Sequence, residues 1–533
     1  MPRIVIIGAG HNGLVCACYL AKAGHEVTVV EKHARPGGCT VTEELLPGFK
    51  INTGALELEG IINSEIDSDL ELAKHGLKWI RKDHMLSAMV GTESIHLMRD
   101  PQKAAATIAK KRGEPSAEEW SKYSKFSSAL MDVMGTFQHV KTPEATAMQN
   151  VLSASGDEKT DIMIQTTLQP ASVVINHWIQ DETLRGAALA YSTHPQMPPW
   201  IPGTGVLGCL LGSSHEGQGA RPKGGTGALI DSLVSALEAA GGTLQCGSGV
   251  AKVEFENSKL QAVELENGEK LSADILVSTI DISRLSGLLP ESLKSDSFKR
   301  AARNAHSGLY NVGEIKVDLA LSEPPTLSRD APEFTGALHY LMDGPDHYNE
   351  HFRKIGAGLL PKRYPMMAAV PSADDPSMAP EGQATLWLSA FVPAKIDGSE
   401  NWPEANEAVA EAVIDSFATF SPGVKDTILA KRITGPSDWE KRTGNPAGNP
   451  NQLDMTIDQL FGFRPGIGQS RYATDIPGIY LSGAGTHPGG GVHGMPGKLA
   501  AKRILDDLAG RRDRSKPSLW SLFKSARALR KSM

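Results

Sequence analysis

An α/β fold built around a dinucleotide-binding βαβ unit is predicted for this 533-residue chain by three features. A glycine triplet stands between two apolar runs at the start, a block of alternating strands lies near the middle, and a buried strand leads into a glycine-rich turn near the end.

The first feature is the most specific. The apolar run Ile4-Val5-Ile6-Ile7 reads as a strand, followed by Gly8-Ala9-Gly10-His11-Asn12-Gly13. In such a GxGxxG turn the first glycine allows the sharp strand-to-helix bend, the second lets the backbone approach a pyrophosphate, and the third lets the helix close onto the strand. Residues 14–23 then form a small-residue helix that Gly24 can end, and Val27-Thr28-Val29-Val30 forms the next strand. Glu31 falls where a ribose-binding carboxylate belongs, roughly 20 residues after the triplet. A carboxylate there accepts from ribose hydroxyls and repels a 2′-phosphate, which argues against NADP. The chain holds a second GxGxxG, Gly203 to Gly208, but it follows Pro198-Pro199-Trp200 instead of a strand and is read as a loop.

The second feature begins at Gly224-Gly225-Thr226-Gly227. A helix with helical apolar spacing over 228–240 precedes alternating runs at 250–255, 260–265 and 275–279, with Asn267-Gly268 as a turn signal between the last two. The third is the strand around Ile479-Tyr480-Leu481, its glycine-rich turn, and a helix over about 497–508. The expected organisation is a discontinuous dinucleotide-binding domain from 1–79, 223–289 and 465–510. A second, α+β substrate domain comes from 80–222 and 290–464, and a basic tail covers 511–533.

Composition narrows the function classes. A 40% hydrophobic content suits a globular protein of roughly three domains by length. No apolar run approaches the ~18 residues of a membrane span, and the first strand starts too early to leave room for a targeting peptide. Five cysteines without a CxxC pair fit a reducing compartment, so a cytoplasmic address is expected. The net charge of −7 is divided unevenly: residues 511–533 carry eight Lys/Arg and one Asp. Within that tail Leu519, Trp520, Leu522, Phe523, Ala526 and Leu529 form an apolar stripe flanked by Lys516, Lys524, Arg527, Arg530 and Lys531. A basic amphipathic helix of this kind either lies on an anionic membrane surface or docks on the acidic body. An acidic body without a recognition motif excludes nucleic acid as a partner.

Further motifs identify a family. A glycine doublet, Gly37-Gly38, just past the ribose carboxylate resembles FAD-binding flavoproteins of the glutathione-reductase and amine-oxidase architecture, whose FAD-binding domain is Rossmann-like. The segment Tyr480-Leu481-Ser482-Gly483-Ala484-Gly485-Thr486-His487-Pro488-Gly489-Gly490-Gly491-Val492 resembles the closing signature of the phytoene desaturase and carotenoid isomerase family. Gly10 to Leu14, Val41 to Glu44 with Pro47 to Lys50, Asp69 to Leu72 with His75 to Leu77, and the Pro371 to Pro380 stretch resemble its branch of pyridine nucleotide-disulfide oxidoreductase domain-containing proteins. The disulfide in that branch's name has no counterpart here, since no CxxC or CxxxxC is present.

The resemblance implies FAD, held by Gly8, Gly10, His11, Asn12, Gly13, Glu31, Lys32, Gly37, Gly38, Val250, Gly483, Gly485, Gly490, Gly491 and Val492. Glycine in the 483–497 turn would let backbone approach the isoalloxazine ring, with the following helix aimed at the edge that gains negative charge on reduction. It further implies an oxidoreductase that desaturates, saturates or isomerises a lipophilic, isoprenoid-like compound by hydride transfer at flavin N5. Oxygen and quinones stay open as electron acceptors. His487 and His493 flank the turn and are the candidates for a chemical role, against a reading as structural caps. Cys39 reads as an inert thiol beside the cofactor, and Cys16 and Cys18 as packing residues on different helix faces. His347-Tyr348-Asn349-Glu350-His351 matches an HxxEH zinc pattern, but without a third ligand it reads as a solvated helix face and no metal is expected. Two other functions are weighed. A flavin amine or amino-acid oxidase shares the fold, although Thr486-His487-Pro488 replaces its flavin-proximal acid. A flavin-containing regulatory or binding protein would show little turnover.

Overall fold

The computed structural model describes residues 1–138, 158–215, 217, 219–327, 330–397 and 402–511. The apolar tail stripe expected at 519–529 lies outside the described residues.

The opening strand, Arg3–Ile7, is the centre of a five-stranded sheet in the order Ile479–Leu481, Ile275–Ser278, Arg3–Ile7, Glu26–Glu31, Thr243–Cys246. Every pairing in it is parallel. Parallel strands need both faces covered, which is why residues 4–7 are apolar without alternation. One face packs the helices His11–Lys22, Gly227–Ala239 and Met495–Leu508. The first and last of these approach so closely that a Cβ on Gly497 would stand 2.2 Å from the Asn12 carbonyl. Cys16 and Cys18 are fully buried in this layer, and burial pushes the Cys18 thiol up to about 12. The opposite face is covered by the antiparallel strands Val250–Glu256, Lys259–Leu265 and Lys270–Ser272 with the helices Ile282–Leu288 and Asp296–Asn304. Lys270–Ser272 is a strand beyond the expected runs: it pairs with Lys259–Leu265 across the Asn267-Gly268 turn.

A second, seven-stranded sheet has the order Ile428–Thr434, Val312–Leu321, Ala384–Pro393, Met366–Ala369, His339–Met342, His84–Val90, Glu93–Met98. Only the pairing of His339–Met342 with His84–Val90 is parallel. Alternation along Val312–Leu321 puts Ile315, Val317 and Leu319 into the layer under the helix Trp402–Ala418. The other face of that strand carries Glu314, Lys316 and Asp318. Lys316 Nζ donates to Asp318 at 2.8 Å, with the ammonium 4.0 Å from the Trp387 ring. Burial pulls the Lys316 ammonium down to about 8, against the pull of Asp318.

A buried ion network joins a separate two-stranded pair to Glu57 and to the short helix Pro371–Asp374. Lys82 bridges Glu57 and Asp374, and Arg221 binds the same two carboxylates. These cations hold the Glu57 carboxyl down to about 2 against the desolvation that opposes ionisation. The short pair Trp79–Lys82 and Gly219–Pro222 presents the two cations on neighbouring strands.

Residues 203–208 form turns and a short 3-10 segment, Leu207–Cys209, as a loop reading requires; a Cβ on Gly205 would meet the Thr166 carbonyl at 1.7 Å, so that glycine serves packing. The HxxEH segment corrects its expectation. It lies on the helix Pro345–Gly356, but His351 is 2% exposed and bonds the Phe391 carbonyl at 2.8 Å, so this face is amphipathic instead of solvated. The period of the helix turns Tyr348, His351, Phe352 and Ile355 inward. No cluster of metal-ligating side chains occurs among the described residues.

Candidate functional site

At the carboxyl ends of Arg3–Ile7 and Glu26–Glu31 the chain opens a cleft of about 240 Å³. Ligands of open parallel sheets bind in this position. The lining includes Gly8, Gly10, His11, Asn12, Gly13, Glu31, Lys32, Gly37, Gly38, Val250 and Gly483.

The glycine turn is fixed by its neighbours. Gly8 has φ +94°, and its N–H donates to the Val30 carbonyl at 2.8 Å. Gly13 must lack a side chain because a Cβ would stand 2.1 Å from the Gly8 carbonyl. Gly10 differs: a Cβ there would meet no protein atom within 4 Å. The space beside Gly10 therefore belongs to the cleft, as the pyrophosphate role of a middle glycine demands. The helix His11–Lys22 has no acidic residue in its first turn, which leaves its amino end to an external anion. Asn12 Oδ1 and His11 Nε2 are buried without a protein partner. Glu31 accepts from the Ala9 N–H at 2.9 Å and the His33 N–H at 3.0 Å, so the carboxylate braces the glycine turn while it lines the cleft. The doublet loop is zipped to the turn by the Gly37 N–H donating to the Ala9 carbonyl at 2.9 Å. Together these features fit a dinucleotide along the cleft.

The third predicted segment enters through Gly483 and Ala484. Gly485, Gly490, Gly491 and Val492 are not part of the cleft lining. A Cβ on Gly485 would meet Gln452 Oε1 at 2.7 Å, and one on Gly490 would meet Asn451 Oδ1 at 1.8 Å. Side chains of the protein thus crowd these two positions from within. Gln452 links the segments: its Oε1 accepts from the Gly485 N–H at 2.5 Å, and its Nε2 donates to the Thr279 carbonyl at 2.7 Å.

The two histidines differ in placement. The Met495 N–H donates to His493 Nδ1 at 3.2 Å, which puts the ring proton on Nε2, 3.0 Å from the Gly490 carbonyl. Both ring nitrogens are thus committed to backbone. Burial holds the His493 imidazole down to about 4 and keeps it neutral. His11 is likewise lowered to about 4, by burial and then by His493. His487 is 2% exposed, and its carbonyl accepts from the Tyr472 hydroxyl at 2.9 Å. Cys39 lines the cleft as a thiol, pushed up to about 11 by burial.

The remaining lining was not foreseen. Gly249, Glu266, Thr279, Asn445 and Gln452 reach the cleft from loops, Arg284 from the helix Ile282–Leu288, and Arg442 from the helix Pro436–Thr443, which leads out of the seven-stranded sheet. No motif marks them; Gly249, Glu266, Thr279 and Arg284 come from the parallel-sheet side, and only Arg442, Asn445 and Gln452 from the segment that follows the mixed sheet.

A parallel sheet with a glycine-walled cleft at its carboxyl edge, accompanied by a mixed sheet, defines a two-sheet dinucleotide-binding protein. Residues 6–64 match the NAD(P)-binding Rossmann-like domain, and residues 203–505 match the family of flavin containing amine oxidoreductases. The chain belongs to the flavin containing amine oxidoreductase family. It is 29% identical over 544 residues to pyridine nucleotide-disulfide oxidoreductase domain-containing protein 2 of Rattus norvegicus, covering 95% of this chain and 93% of that protein. It is 23% identical to the lycopene-forming phytoene desaturase of Pseudescherichia vulneris, covering 95% of this chain and 100% of that enzyme. The cyclohexylamine oxidase of Brevibacterium oxydans shares the fold, with a TM-score of 0.60 at 16% identity over 95% of this chain and 99% of that one. The phytoene desaturase-like reading of the sequence motifs is thereby borne out, and the protein is an FAD-dependent oxidoreductase. No described helix is long and apolar enough to cross a membrane.

Proposed function

We propose that FAD lies along the cleft, with its ribose at Glu31, its diphosphate at Gly10 and the amino end of His11–Lys22, and its ring toward the turn after Gly483. Bound there, FAD supplies hydride acceptance or donation at a carbon–hydrogen bond of a lipophilic, isoprenoid-like substrate. The observation that carries the placement is Gly10, whose missing side chain opens into the cleft while its neighbouring glycines are closed in by protein. The remaining residues hold position. Glu31 braces the turn, Gln452 fixes Gly485 against Thr279, and neutral His493 pins the turn to the helix Met495–Leu508. The lipophilic substrate is supported by the desaturases among the relatives.

The test is anaerobic mixing of the purified flavoprotein with isoprenoid hydrocarbons of graded saturation, and separately with primary amines, while the visible flavin absorbance is followed. Bleaching by the hydrocarbons supports this reading, and bleaching by amines alone replaces it with an amine oxidase. Flavin that no candidate reduces, in a protein that binds a partner tightly, would identify a regulatory flavoprotein.

The sequence of 511–533, basic with an apolar stripe, supports a peripheral contact with anionic membrane that would deliver such a substrate.

A further inference from the structure

One cation of the cleft lining, Arg442, comes from the mixed-sheet side. The helix Pro436–Thr443 follows Ile428–Thr434 of the mixed sheet, and its last turn lies over the glycine doublet. Lys32 Nζ donates to the Lys441 carbonyl at 3.3 Å, His33 Nε2 meets the Arg442 carbonyl at 2.5 Å, and Arg284 Nη1 donates to the Thr443 carbonyl at 3.3 Å. Donors from the parallel-sheet side thus satisfy the carbonyls at the negative end of this helix.

Arg442 points the other way across the junction. Its Nε donates to the Gly38 carbonyl at 3.2 Å, and one Nη lies 3.4 Å from Glu43. Gly38 in turn packs on Gly10: a Cβ on it would stand 3.6 Å from the Gly10 Cα. The Arg442 guanidinium is therefore one residue removed from the open space beside Gly10, and it lines the same cleft. Its charge is only partly matched, because Glu43 also holds Arg432 with its other oxygen. A guanidinium has five N–H donors, and these two contacts use two.

From this geometry we infer that Arg442 binds the diphosphate of FAD, reaching it from the mixed-sheet side, so that cofactor and helix Pro436–Thr443 hold each other across the junction. This inference rests on the FAD placement proposed above. The glycine turn and helix amino end offer the diphosphate backbone N–H groups from one side. Arg442 offers a planar fork from the other, the geometry suited to phosphate oxygens.

The test compares wild-type holoprotein with R442M and R442K. FAD release on dilution is followed by flavin fluorescence over a series of salt concentrations, and the ³¹P resonances of bound FAD are recorded. At low salt R442M is expected to weaken FAD affinity about ten- to a hundredfold, with a shallower salt dependence than wild type and displaced ³¹P resonances. R442K, a point charge without the fork, is expected to weaken affinity severalfold and to displace the same resonances. If R442M does not fold, R442K decides alone. Unmoved ³¹P resonances with wild-type salt dependence in folded R442K would show that Arg442 is only a structural link to Gly38. Wild-type protein that carries no FAD would overturn the cofactor placement itself, a different outcome from FAD-loaded protein indifferent to Arg442.

Discussion

Arg464 Nε donates to the carbonyl of Ala484 at 2.9 Å, which places a fully buried guanidinium directly behind the start of the cleft's glycine-rich turn. The remaining donors reach the carbonyls of Asn451, Leu453, Asp454 and Gln459, at 2.6 to 3.2 Å. Burial lowers the guanidinium to about 9, with Asp454 pulling it back up, so it stays charged at neutral pH. A lysine has three donors and no fork, and would leave carbonyls unpaired in the core. Arg464→Lys is expected to cost about 2–4 kcal/mol of stability, read from urea midpoints, and to release FAD. A variant with wild-type midpoint and flavin content would show that these carbonyls find other partners.

Gly10→Val adds bulk only to the cleft, since no protein atom lies within 4 Å of the position its Cβ would take and the backbone is extended, φ −73°. The variant is expected to fold with an unchanged melting temperature in the flavin-free state and to purify colourless. A yellow Gly10→Val protein with full FAD would place the diphosphate elsewhere.

Gly490→Leu tests the opposite situation, because its first side-chain carbon would fall 1.8 Å from Asn451 Oδ1. Destabilisation by about 1–3 kcal/mol is expected, the scale of overpacking. Gly490→Ala combined with Asn451→Gly should recover most of it. If the double variant is as unstable as Gly490→Leu, the obstruction is not Asn451.

Buried histidines set the acid side of stability. His339 and His351 are 0% and 2% exposed, and burial lowers each to about 3, with the carbonyls of Thr335 and Phe391 pulling back up. The unfolded chain takes up these protons near pH 6.5, whereas the fold refuses them until about pH 3. Their contribution is therefore complete above about pH 6.5 and falls as pH drops, by up to ~1.4 kcal/mol per pH unit for each ring. Urea midpoints measured from pH 7.5 to 4.5 should fall more steeply in wild type than in His351→Gln. Parallel slopes would mean that His351 protonates equally in both states.

Removal of residues 511–533 checks the membrane reading. Full-length protein is expected to sediment with anionic vesicles at low salt and to bind neutral vesicles poorly, with truncation abolishing the difference. Truncation that lowers the melting temperature, in a protein that never binds vesicles, would assign the tail to the body.

The parallel sheet and its glycine turn were legible because each depends on short-range facts: unbroken apolar runs for strands buried on both faces, and a glycine triplet with no alternative use between a strand and a helix. Glu31 was readable by distance along the chain for the same reason. The family signature at 480–492 located the segment after Gly483, but not the cause of its glycines. Gln452 and Asn451, about 30 to 40 residues away, crowd two of those glycines, and Arg464 holds the carbonyl of Asn451. His351 was misplaced to solvent because five residues of a helix do not reveal which stripe faces the core. Arg442, Arg284 and Gln452 carry no local pattern at all. Sequence alone determined what repeats or bends locally; the tertiary fold decided which charges and amides face the cleft, since their contacts, Arg442 with Gly38 and Gln452 with Thr279 among them, join segments far apart along the chain.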